Sequence, residues 1–93
     1  MKASENQFQC IGIQRRDYFS KVQSDLESIG IKYAYGFWSP SEAVDKSHKN
    51  ITGCPGEIWI QKHHAAHATK LLGLIYKIEL IEDAIIVKER LAS

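Results

Sequence analysis

The stretch HHAAH places three imidazoles, His63, His64 and His67, within five residues. Imidazole ligates Zn²⁺, Ni²⁺ and Cu²⁺, and it is the side chain that changes charge near neutral pH. The cluster therefore offers metal binding or proton handling. On a helix, His63 and His67 stand at the i, i+4 spacing at which two imidazoles can hold one ion. His64 falls in line with Ala68, Leu71 and Ile75, on the row that faces a core. Two imidazoles are only half a metal site, and no HExxH or CxxC pattern supplies the rest. Cys54 and His63 flank the same extended segment, which at roughly 3.3 Å per residue sets them on the order of 25 Å apart. Glu5 is the better-placed third ligand, since an antiparallel neighbour would bring it near. The expectation is a helix start that catches a divalent transition metal weakly, with no resident cofactor.

A second arrangement pairs the thiol of Cys54 with the imidazole of His48. Nucleophilic catalysis would also need a lowered thiol pKa, an orienting group and an oxyanion site. The surrounding KNITGCPG is Gly/Pro punctuation that fixes no such geometry. No catalytic residue is assigned, and a non-enzymatic protein is expected.

These residues must be held by a small scaffold. Ninety-three residues suffice for one domain with a single two-layer core. The 44% apolar and 25% charged shares are those of a globular chain. A net charge of +1 disfavours a non-specific phosphate binder. Two cysteines without a CxxC pair read as free thiols. MKASENQFQ lacks the apolar run of a signal peptide, and no segment approaches the roughly 20 apolar residues that span a bilayer. A cytoplasmic protein without membrane contact is expected.

Along the chain, FQCIGIQ (8–14) alternates as a strand, with Ile11 and Ile13 on one face and Phe8, Cys10 and Gly12 on the other. Phe19, Val22, Leu26 and Ile29 then recur at three-four spacing, which predicts a helix. Asp17 is its candidate N-cap and Gly30 its left-handed C-terminal residue, with Ile31 folding back onto the last turn. IKYAYGFW (31–38) predicts a second strand. Ser39, Pro40 and Glu42 form a capping-box pattern for a short helix over 40–47, inside a long connection covering 39–56. EIWIQ (57–61) predicts a third strand with Ile58 and Ile60 inward and Trp59 outward. Ala68, Leu71, Leu72, Ile75 and Ile78 predict a second helix over about 63–78, and 83–91 a fourth strand. Residues 1–6 are expected to form a flexible N-terminus.

The order β-α-β-β-α-β predicts an α+β, ferredoxin-like two-layer sandwich. Its antiparallel sheet would carry both helices on one face, with the first and third strands central. The other face would hold Phe8, Cys10 and Trp59, joined by half of the aromatics of the second strand (Tyr33, Tyr35, Phe37 and Trp38). An open aromatic face on so small a domain is usually covered. RNA-recognition domains share the expected strand order, but GEIWIQ lacks their basic, twin-aromatic pattern. A second copy, as a homodimer, or a protein partner is expected instead of nucleic acid. Phe8, Cys10, Trp59, Tyr33, Tyr35 and Trp38 are the candidate contact residues, with Trp59 the anchor. Glu42, His48 and Cys54 on the long connection are the candidates for specificity.

KVQSDLESIGIKYAYGF and GEIWIQKHHAAHATKLL resemble a family of small bacterial signal-transducing proteins, similar in turn to PII-like regulators. Leu26, Gly30 and Ile31 match its helix-to-strand turn. Ile58, Ile60, Ala68, Leu71 and Leu72 match its later strand and helix. The resemblance covers about residues 8 to 75 and implies a ferredoxin-like fold and a regulatory role, with no catalytic residues. The expected function is a small regulatory or interaction module. The alternatives are a metal-responsive protein using His63 and His67, and a small inhibitor or immunity protein that blocks a larger assembly.

Overall fold

A computed structural model describes residues 8–37, 54–81 and 84–91. The short helix expected over 40–47, with Trp38, Glu42 and His48, lies outside them, as does Glu5. The described elements are β1 (Phe8–Ile13), α1 (Phe19–Ser28), β2 (Tyr33–Phe37), β3 (Gly56–Gln61), α2 (Ala65–Ile75), β4 (Tyr76–Ile81) and β5 (Ala84–Arg90). A 3₁₀ turn precedes each helix, at Arg16–Tyr18 and Lys62–His64.

The strands form one five-stranded sheet in the order β2-β3-β1-β5-β4. β1 and β3 pair antiparallel near its centre, with Ile11 opposite Ile58. β1 and β5, by contrast, run parallel, with Ile11 beside Ile85. The architecture is thus α+β with a mixed sheet, not the four-stranded antiparallel sheet expected. The difference lies in YKIELI. The second helix stops at Ile75, and residues 76–81, whose first half was expected to continue it, form a strand antiparallel to β5. The last strand consequently enters beside β1 in the same direction. Ile78 fits both patterns: it is three residues beyond Ile75, but also alternates with Tyr76 and Leu80. Burial of Tyr76 decides between them. Its ring is 2% exposed and lies 5.6 Å from that of Tyr18, and its hydroxyl donates to Asp25 of α1 at 3.0 Å.

Ile11, Ile13, Ile58, Ile60, Ile85 and Val87 pack with Phe19, Val22 and Leu26 of α1 and with Ala68 and Leu72 of α2. Both helices therefore cover the same sheet face, as expected. Each fully buried aliphatic side chain contributes roughly 1.5–3 kcal/mol. α1 ends as its sequence predicts: Gly30 takes φ 77°, its amide donates to Glu27, and the Ile31 amide donates to Leu26. These two bonds close a Schellman turn and bury Ile31. Its start differs. Tyr18 occupies the N-cap position without a side-chain cap, and Asp17 pairs with Arg15 at 3.4 Å. No helix among the described residues is long and apolar enough to cross a membrane.

Candidate interaction site on the outer sheet face

Strand register sorts the candidate residues. Cys10 lies opposite Trp59 on one side and beside Ala84 on the other, while Gly12 lies between Glu57 and Ile86. These six residues share the sheet face that points away from the helices. Its centre is made of small residues, Cys10, Gly12 and Ala84. Cys54, two residues ahead of β3, packs there with Cys10, Ala84 and Ile86, and Trp59 lies alongside. Cys10 and Cys54 are both buried free thiols. The face expected to be open is therefore closed over its centre, and Cys54 belongs to a packed cluster.

The chemistry of that centre is muted. The Cys10 thiol is pushed up to about 12, mainly by burial and further by the Glu57 carboxylate and by Cys54. At neutral pH it stays protonated, a weak nucleophile and a weak metal ligand. Glu57 is wholly buried. Sequence reasoning missed it, because a carboxylate on the same strand face as Trp59 reads as solvent-exposed.

Toward one end the face opens. Phe8 is opposite Gln61, and Ala34 is opposite Trp59. Phe8, Lys32, Ala34, Trp59 and Gln61 line a groove of about 400 Å³, with Gly30, Tyr33 and His64 also on its wall. Phe8 is 43% exposed and Trp59 half-buried. Ala34, with its small side chain, is the cross-strand neighbour of the half-buried Trp59, and both line the groove. Among the described residues no carboxylate lines the groove, and Lys32 is its cation. The site can accept an apolar side chain against the two rings and an acidic group at the lysine.

The second-strand tyrosines do not join Phe8 and Trp59 on the outer face. Tyr33 is opposite Ile60 and Tyr35 opposite Ile58, so both face the helices. The Tyr33 hydroxyl donates to Glu27, a bond that is the main cause of its rise to about 12. Tyr35 is exposed and meets the Phe19 ring edge-on at 5.6 Å. Of the two, Tyr33 alone reaches the groove.

The histidines begin the second helix two residues later than expected. His63 and His64 belong to the 3₁₀ turn, their ring centroids 4.1 Å apart, and His67 lies exposed in the first turn of α2. The buried row of α2 is Ala68 and Leu72. Cys54 lies before β3 and His63 after it, at opposite ends of that strand. Among the described residues, no three His, Cys, Asp or Glu side chains are placed to share an ion. No protein-family model, curated protein or solved structure matches this chain.

Proposed function

We propose that the chain is a non-enzymatic interaction module that holds a protein partner at the Phe8–Trp59 end of its outer sheet face. The observation that carries this reading is the pairing of an exposed Phe8 with a half-covered Trp59 over a groove whose cation is Lys32. Aromatic anchors that become fully desolvated in a well-packed contact concentrate binding energy. The groove suits one apolar side chain next to an Asp or Glu of an extended segment. The regulatory part of the reading rests on the resemblance of residues 8 to 75 to small bacterial signal-transducing proteins. Buried Cys10 narrows the contact from the whole face to this end.

A random heptapeptide library panned on the protein tests the reading. Recovered peptides are expected to carry Leu, Ile or Phe beside an acidic residue. Trp59→Ala and Lys32→Glu, checked for native folding by circular dichroism, should each weaken their binding at least tenfold. Peptides that bind both variants as well as the wild type, or a library that yields none, would overturn it.

A further inference from the structure

The exposed large apolar residues are unevenly placed. Of the six among the described residues, Leu80 and Ile81 lie on β4, Leu74 two residues before it, and Leu91 follows β5, its amide bonded to Ile75. Among the described strands β4 is also an edge. Ile78 and Leu80 lie on the helix side with their β5 partners Val87 and Ile85, as does buried Tyr76, while Glu79 and Ile81 lie on the outer side with Ile86 and Ala84. Lys77 joins the outer side by alternation along β4, and the register shift between Lys77 and Ile78 is an extra residue, Lys88, on β5. An exposed apolar edge offers unpaired backbone groups to another strand.

The geometry points to a second copy of this chain as the occupant, the two β4 strands joining antiparallel about a two-fold axis at Ile78. A two-fold axis normal to the sheet keeps each side chain on its own face, so residues of like parity must meet. Only two such registers overlap over five residues of Tyr76–Ile81. Centring on Glu79 sets Glu79 against the partner's Glu79. Centring on Ile78 sets Lys77 against the partner's Glu79, twice, with Ile78 against the partner's Ile78. Opposite charges facing across strands stabilise and like charges destabilise, so the sequence selects the second register.

The neighbouring strand extends the complementarity. Lys77 lies opposite Glu89 of β5, and Glu79 pairs with Lys88 at 2.6 Å. Joined at Ile78, the outer face carries a row running Glu89, Lys77, the partner's Glu79, the partner's Lys88, which alternates in sign across four strands. On the helix side, 64%-exposed Leu80 comes opposite the partner's Tyr76. The interface is isologous and closes at two copies, giving one continuous ten-stranded sheet. It uses the edge of the sheet remote from the groove and is independent of the groove's role.

Sedimentation equilibrium on the full chain tests this with Lys77→Glu, Glu79→Lys and the double exchange, each checked for native circular dichroism. The wild type is expected to dimerise. Each single change should weaken the dimer at least tenfold, and the double exchange should bind more tightly than either parent, because it restores opposite charges across the interface, although it sets like charges beside Glu89 and Lys88 within each chain. A wild type that stays monomeric at several hundred micromolar would overturn the proposal. So would a dimer indifferent to the single changes, a double exchange no better than its parents, or a dimer dissociated by Trp59→Glu and not by Lys77→Glu.

Discussion

Cys10 shows how one position can be placed correctly and still be misjudged. Alternation in FQCIGIQ assigns it to the face away from Ile11 and Ile13, and the register agrees. Its burial depends on Cys54, which is distant in sequence and packs over it. No period in the sequence encodes that contact. The burial has a measurable consequence. The fold favours the neutral thiol, holding its pKa near 12 against an ordinary 9.0. A group whose folded pKa is raised contributes stability that is full below its unfolded pKa and is lost as pH climbs toward the folded value. Stability to urea should therefore decline from about pH 9 upward, with Tyr33, raised to about 12, and Tyr76, raised by burial and its bond to Asp25, adding to the decline above their ordinary 10.0. Cys10→Ala is expected to flatten the decline between pH 9 and 10, before the tyrosines contribute strongly. An unchanged slope in that window would contradict the buried, protonated thiol.

At the scale of elements, α1 is the most legible. Its three-four stripe and its Gly30–Ile31 ending both lie within one short segment, and both are realised. Its start is less legible, because the Asp17 carboxylate has Arg15 as an equally local partner. The boundary between α2 and β4 was hidden for a different reason. Ile75 and Ile78 satisfy a helical period and Tyr76, Ile78 and Leu80 a strand period, so the choice is made by the remote contacts of Tyr76 with Tyr18 and Asp25. Gly73 adds to the tension, since glycine weakens the last turns of α2. A β-carbon there would meet only the Ile78 Cδ1 at 3.7 Å, an ordinary contact. Gly73→Ala is therefore expected to stabilise the protein by roughly 0.5–1 kcal/mol, read as a higher urea midpoint at unchanged slope. A loss of stability would show that the end of α2 needs glycine for a reason other than space.

For the whole molecule, the parallel entry of β5 beside β1 is the feature that organises the rest. It completes a sheet whose helix side is one continuous core and whose outer side is divided. The centre of that outer side is filled by thiols and small residues, one end is an aromatic groove, and β4 forms an edge. Phe8 and Trp59 were legible as site residues because outward parity in β1 and β3 follows from Ile11, Ile13, Ile58 and Ile60. Lys32, Ala34, Gln61 and His64 were not, since their approach to the groove depends on the register of three strands and the turn that follows β3. A partner held at this end of the sheet would register in a ¹H–¹⁵N shift titration of the labelled protein with the tightest peptide recovered from panning. The largest shifts are expected on Phe8, Lys32, Ala34, Trp59 with its indole N–H, and Gln61. Shifts concentrated on α1, on the exposed Tyr35 or along Tyr76–Ile81, with the groove unmoved, would contradict binding there.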